Sequence, residues 1–326
     1  MVITAIRTYS RVDPSRTKTI RDAFVREFRR RFHRITVDIR KMVDTEDVFG
    51  LRGATTYDTP GAGMFAFPRS QDKITAFMQW LEDQIDRGLL EIREYGQVGT
   101  AVEGAWTNKY VYDSYKRGVI RARYELKKAG FNIPSIQETG GIEISMGTPF
   151  HVDRLGLLYT RVFSELKGIT AQMDQQISRV LAQGLADGDN PRLLARKLVS
   201  TINGVGMGDL GLTDTLGRFI PARRRAEIMA RTEVVRAHHQ ANIQEYQNWG
   251  AEGVRVQAEW QTAGDERVCD ICQSLQGSVW TLREIESMIP VHPQCRCVAL
   301  PFRPGRDTPQ EWNEMWAVKQ GQLKPI

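Results

Sequence analysis

The sequence predicts a mainly α-helical protein, with a helical N-terminal domain and a small α+β C-terminal domain that carries a Cys/His module. Three observations lead to this fold class. Apolar residues recur at steps of three and four over most of the 326 residues, which is the period of amphipathic helices. Stretches rich in glycine and proline separate these helical segments. All four cysteines lie in one short stretch near the C-terminal end.

The composition is that of a soluble globular protein with about two domains, since 41% of the residues are apolar. No run of eighteen apolar residues occurs, so the sequence predicts no membrane span. A net charge of +6 and a pI near 9.2 are modestly basic, which suits a protein that works close to nucleic acid.

The first element is predicted to be a basic amphipathic helix. Residues 1–42 carry a surplus of eight positive charges, more than the whole chain. Two readings stay open: a solvated basic face on a core helix, or contact with a polyanion or an acidic partner. The predicted contact residues are Arg26, Arg29, Arg30, Arg31 and Arg34. The predicted apolar face is formed by Ile20, Phe24, Phe28, Phe32, Ile35 and Ile39.

Further along the chain, helical stripes begin at Ser70, which can cap its helix, and cover 101–129. Asn190 and Pro191 have the cap and first-turn residue types of another helix, which ends before a glycine-rich loop at 204–217. The predicted organisation has five parts. They are a helical domain at 1–130, a connector at 131–150, a long helix and helical linker region at 151–220, a C-terminal domain at 221–302 and a tail at 303–326.

The C-terminal domain opens with a helix from 221 to about 249, followed by an alternating strand at 253–261. His238 and His239 are adjacent on this helix and point roughly 100° apart, so they cannot jointly face one metal ion from it. The residues predicted to act as polar anchors for the segment that follows are Arg231, Thr232 and Glu233.

The cysteines form two clusters that are separated by twenty-two residues, with a histidine beside the second cluster. This spacing is typical of a structural, tetrahedral zinc site, and five donors compete for four places. Disulfides and a metal-free thiol cluster remain alternatives. No signal peptide is recognisable, which favours a reducing cytosol and hence metal over disulfides. The candidate ligands are Cys269, Cys272, His292, Cys295 and Cys297.

The order of these motifs resembles the C-terminal domain of minor head morphogenesis proteins of tailed phages, of the Mu protein F type. The resemblance rests on the Arg-Thr-Glu helix at 231–233, the strand that ends at Trp260, Asp265 before the C-x-x-C pair, and the H-P-x-C-R-C sequence at 292–297. It covers roughly residues 150–302. The family motif positions are Asp265, Arg267, Cys269, Cys272, His292, Cys295 and Cys297.

The resemblance implies a structural virion protein rather than an enzyme. Such a protein is made in the host cytoplasm and is present in few copies inside the capsid, near the portal vertex. The implied partners are the portal protein, the major capsid protein and packaged double-stranded DNA. Metal binding is not part of this implication, since it is inferred from the spacing of the donors.

Two other functions are compatible with the sequence. A zinc-dependent nuclease or hydrolase would place His238, His239 or Asp265 near an open metal ion. A sequence-independent DNA-binding protein would use the arginines at 29–31 and 223–225. The tail residues form a short apolar stripe that would either dock to a partner, cover the metal module or pack on the parent domain: Trp312, Met315, Trp316 and Val318.

Overall fold

The computed structural model describes residues 13–52, 62–92, 104–204, 220–251 and 256–303. It confirms a mainly helical protein with a three-stranded antiparallel sheet near the C-terminal end and a Cys/His cluster. Most of the predicted glycine-rich loop and the predicted tail stripe with Trp312 lie outside the described residues.

The first helix, α1, spans Lys18–Arg40 and continues into one π-helical turn at Lys41–Thr45. Its six predicted apolar residues are all buried, so the sequence periodicity located this face correctly. The rings of Phe24 and Phe28 lie edge-on to Trp106, with centroids 5.7 and 4.9 Å away. Aromatic packing therefore fixes the buried face of α1.

The next two helices are α2 at Ser70–Gly88 and α3 at Asn108–Lys128. Ser70 was predicted to cap α2, but it is the first helical residue. Arg69 takes the cap position without a side-chain hydrogen bond. Gly130, at φ 83°, follows the end of α3 in a left-handed conformation that costs glycine little.

A short helix α4 at Ile142–Met146 precedes the long helix α5 at Pro149–Ala186 and then α6 at Pro191–Asn203. The predicted cap of α6 is confirmed, since the Asn190 side chain accepts a hydrogen bond from the backbone N–H of Leu193 at 3.0 Å. This bond satisfies one of the free donors of the first turn.

The C-terminal part begins with a long helix, and a small sheet with two short helices follows. The elements are α7 at Ala222–Ala251, β1 at Gln257–Gln261, α8 at Asp270–Leu275, β2 at Val279–Trp280, α9 at Leu282–Ile285 and β3 at Val298–Phe302. The strand order is β2-β1-β3, and both pairings are antiparallel. The predicted strand at 253–261 is present in its second half, and residues 252–255 lie outside the described part.

The backbones of α3 and α7 approach closely at Gly118. A Cβ atom at this position would lie 2.6 Å from the carbonyl oxygen of His238 and 2.6 Å from the Cβ of Ala241. Only glycine therefore permits this helix crossing, since no side chain fits between the helices. In the described ranges, no helix has both the length and the apolar character needed to cross a membrane.

The chain forms two compact units that interleave along the sequence. Unit 1 contains 1–20, 110–157 and 232–326, and unit 2 contains 21–109 and 158–231. The predicted parts follow one another along the chain, whereas each unit gathers segments that are distant in sequence.

The core of unit 1 surrounds Trp260 and Tyr246, which are both fully buried. Three of the cysteines belong to this same core, namely Cys272, Cys295 and Cys297. Leu275 and Trp280 pack against it while remaining partly exposed. The predicted metal module is thus continuous with the hydrophobic core of its unit.

Candidate metal centre

The first half of the Cys/His cluster is formed where α8 begins. Cys269 is the N-cap residue of α8, and its Sγ accepts a hydrogen bond from the backbone N–H of Cys272 at 3.5 Å. The loop before it is closed by Gln276, whose Oε1 accepts hydrogen bonds from the N–H and the hydroxyl of Thr262, both at 2.7 Å. A C-x-x-C sequence folded as a helix cap brings its two thiols to one side.

The second half lies in the turn between α9 and β3. The N–H of Cys295 donates to the carbonyl of His292 at 3.1 Å. Gln294 has a φ of 65°, which is unusual for a residue with a side chain. Its N–H donates to the hydroxyl of Thr232 on α7 at 2.9 Å. Thr232 therefore anchors this turn, which is the role that the sequence predicted for it.

The donor atoms from the two halves converge. His292 Nε2 lies 3.3 Å from the Sγ of Cys269 and 3.1 Å from the Sγ of Cys272. The Sγ atoms of Cys272 and Cys295 are 4.0 Å apart. A tetrahedral zinc ion would set about 3.8 Å between two sulfur ligands and about 3.6 Å between sulfur and nitrogen. The cluster therefore has the size of a site for a single four-coordinate ion.

The five donors form two overlapping groups of three, and within each group the ligand atoms lie within 4.8 Å of one another. One group is Cys269, Cys272 and His292, and the other is Cys272, Cys295 and Cys297. Cys272 belongs to both. The first group with one thiol of the C-x-C pair would complete a shell of four.

The histidine is oriented for ligation. His292 Nδ1 lies 2.8 Å from the carbonyl oxygen of Pro293, and a carbonyl can only accept, so Nδ1 carries the proton. The lone pair of Nε2 then faces the thiols. A second hydrogen bond of this kind commonly fixes the tautomer of histidine ligands.

The four cysteines are free thiols, and three of them are buried. Burial, reinforced by the nearby Cys295, raises the pKa of Cys272 to about 12. In the other pair, a hydrogen bond from the thiol of Cys297 lowers the pKa of Cys295 to about 5, and the same bond raises the pKa of Cys297. The buried thiols cannot all ionise together unless a cation supplies compensating charge.

A salt bridge joins the segments that carry the two halves. Arg296, between the last two cysteines, binds Asp265 through two hydrogen bonds of 2.7 and 2.5 Å. Arg267 adds a third at 3.1 Å. The Arg296 guanidinium, with Arg267, holds the pKa of Asp265 well below its usual range. Asp265 and Arg267 were singled out in the sequence as family motif positions, but Arg296 was missed, because its only signal was its place inside the C-R-C motif.

The two histidines of α7 have other contacts. His239 Nε2 is 2.9 Å from the carbonyl oxygen of Ile285, and burial lowers the pKa of His239 to about 4. His238 Nδ1 lies 3.4 Å from the side-chain amide of Asn242. Among the described residues, neither histidine takes part in a group of possible metal ligands.

Of the five predicted contact arginines, four are exposed on α1: Arg26, Arg29, Arg30 and Arg34. Arg31 is buried instead. It binds Glu91 at 2.8 Å, donates to the carbonyl of Gly88, and lies over the ring of Trp106 at 4.1 Å. A count of charges could not show that Arg31 points into unit 2, where it stabilises the fold.

Comparison with known proteins identifies one family. Residues 175–300 match the family described as Phage Mu protein F like protein. The match begins inside α5 and includes α7, β1 and the whole Cys/His segment. No curated protein and no solved structure matches the chain. The resemblance found in the sequence is therefore confirmed over this segment.

Proposed function

We propose that this chain, a Mu protein F-like phage protein over residues 175–300, is a structural minor protein of the phage head. The family match supports a role in head morphogenesis. The proposal goes further: the protein sits inside the capsid near the portal vertex, binds the portal protein and the major capsid protein, and touches the packaged DNA. The observation that carries it is the family match over the segment that builds the Cys/His cluster.

The proposed ion is Zn²⁺ in a structural role. Thiolates and imidazole are ligands that zinc prefers. The donors lie in or beside the core around Trp260, so an ion there would join the α8 segment to the turn before β3. Five donors for one ion favour a closed shell, and a closed shell leaves no position for a substrate.

The proposal also holds that the protein is not an enzyme. A zinc hydrolase would need an open coordination position and a general base nearby. The side chain of Asp265 is held by Arg296 and Arg267, and His239 faces a backbone carbonyl. Metal analysis and a nuclease assay on the purified chain test this point. Turnover that is abolished by His238→Ala would overturn the structural assignment.

A complementation experiment tests the head role. The gene would be inactivated in the phage that encodes it and supplied again as wild type, Cys272→Ser or Gln273→Ser, a control at the exposed neighbouring residue. Wild type and the control should restore infectious titre and be found in purified heads, and crosslinking should join them to the portal protein. Cys272→Ser should be depleted from heads.

Two results would contradict the proposal. One is a normal titre from phage that lack the chain. The other is purified heads that never contain the chain although it is produced in the infected cell.

A further inference from the structure

One buried carboxylate in unit 2 is surrounded by four arginines from two helices. Glu227 lies in the second turn of α7, and Arg29 of α1 binds it with two hydrogen bonds of 2.9 and 3.0 Å. Arg224, Arg231 and Arg223 of α7 approach the same carboxylate at 3.4, 3.9 and 4.0 Å. We call this set the Glu227 surface.

The Glu227 surface carries more positive charge than its carboxylate can balance. Asp22 also acts on Arg231, so two carboxylates face four guanidinium groups. Glu227 is 4% exposed, whereas Arg29 and Arg224 are 54% and 49% exposed. The positive groups therefore reach solvent while the central negative charge stays inside.

The adjoining face of α1 extends this positive surface. Its exposed residues between 26 and 40 include only one aliphatic side chain, Val37. Protein interfaces are commonly built around apolar and aromatic residues, and their centres are depleted of charge. Interfaces with DNA are more polar and much more positive. Arg30 is paired with Glu27 at 2.5 Å. The exposed basic residues of this face are Arg26, Arg29, Arg30, His33, Arg34 and Arg40.

We propose that the Glu227 surface and the adjoining face of α1 bind the phosphate backbone of double-stranded DNA without sequence preference. Guanidinium groups match phosphate oxygens in charge and geometry. The two hydrogen bonds to the buried Glu227 carboxylate hold Arg29 in place, so that this arginine is ordered before DNA binds. The inference rests on the proposed function as a head protein, because it identifies the surface that meets the packaged DNA.

The test measures binding of the full chain to a labelled 30-base-pair duplex of random sequence over a series of salt concentrations. The variant Arg223→Gln/Arg224→Gln removes one half-buried and one exposed charge of the surface. The control Arg192→Gln/Arg196→Gln removes two exposed arginines of α6, with the same change in net charge. Arg223→Lys/Arg224→Lys keeps the charge.

Each phosphate contact contributes about 0.9 to the slope of log K against log salt, so losing two should reduce the slope by about 2. The Gln variant should bind at least ~10-fold more weakly near 0.1 M salt, with the control and the Lys variant within about 3-fold of wild type. Thermal melting checks that each variant is folded.

Equal losses in the Gln variant and the control would show a net-charge effect and overturn the proposal. DNA binding by the Gln variant that equals that of wild type would also overturn the proposal. If this variant in addition lost binding to the portal protein, the surface would bind an acidic protein partner instead of DNA. The proposed function fails separately: a chain that binds DNA as expected but is absent from purified heads would refute the head role and leave this surface standing.

Discussion

Removal of the proposed zinc ion should destabilise unit 1, and Cys272→Ser should have the same effect in the presence of zinc. Cys272 is the residue common to both donor groups, so its loss removes a ligand atom from each group at once. Cys295→Ser and Cys297→Ser should cost less, because either thiol of the C-x-C pair can replace the other as the fourth ligand.

The size of the effect follows from binding linkage. A ligand present at a thousand times its Kd stabilises the folded state by about 4 kcal/mol. Unit 1 contains about 160 residues, for which 1 kcal/mol shifts Tm by about 2–4 °C. Zinc should therefore raise the Tm of unit 1 by about 8–16 °C, and Cys272→Ser should abolish this rise.

Calorimetry with and without a strong chelator provides the measurement. In chelator, wild type and Cys272→Ser should melt within a few degrees of each other, which separates the metal effect from the loss of a buried thiol. Zinc should then separate the two proteins. If wild type melts at the same temperature in zinc and in chelator, the cluster does not hold the fold together and the reasoning is wrong.

Three further predictions concern the packing and charges of unit 1, each checked by urea denaturation. Gly118→Ala should destabilise the protein by about 2 kcal/mol despite the better helix propensity of alanine. The control Gly156→Ala, with nothing within 4 Å of the new Cβ, should stabilise it by about 0.5–1 kcal/mol. A Gly118→Ala protein as stable as wild type would contradict the close helix crossing. The folded pKa of His239, about 4, lies below its unfolded value of about 6.5, so stability should fall by about 2–3 kcal/mol as pH drops from 7.5 to 4.5. The stability of His239→Gln should lose that pH dependence. If the variant showed the same pH profile as wild type, His239 would not be its cause. Arg296 lowers the pKa of Asp265, so this pair stabilises the folded state at pH values above the unfolded pKa of about 3.9. Asp265→Asn should therefore lower the free energy of unfolding by about 1 kcal/mol at pH 7. The difference in stability between this variant and wild type should shrink as pH falls below 4. If this difference in stability grew as the pH fell, the prediction for Asp265 would be wrong.

The helices and their buried faces could be predicted from sequence, because periodicity is a local property. The six apolar residues of α1 and the Asn190 cap of α6 are examples. The spacing of the Cys/His donors also predicted correctly that they lie close together, because two short clusters of ligand residues near each other in sequence can readily share one ion.

Pairings between distant residues could not be predicted in this way. Nothing in the local sequence links Asp265 to Arg296, Arg29 to Glu227, or Arg31 to the interior of unit 2. Strand β3 was missed for a different reason. Its residues are nearly all buried, so they do not alternate, and it contains Pro301, which argues against a strand. The structure places β3 at the edge of the sheet, where proline is tolerated.

The interleaving of the two units has a consequence for how the chain folds as it is synthesised. All the segments of unit 2 have left the ribosome once residue 231 has emerged. The core of unit 1 cannot form before residues 232–303 have been synthesised, since Tyr246 and Trp260 lie at its centre. The cysteines are among the last described residues to appear. The proposed zinc site would therefore be completed late, and under the proposed function the supply of zinc in the infected cell would govern how quickly newly made chains become ready for assembly.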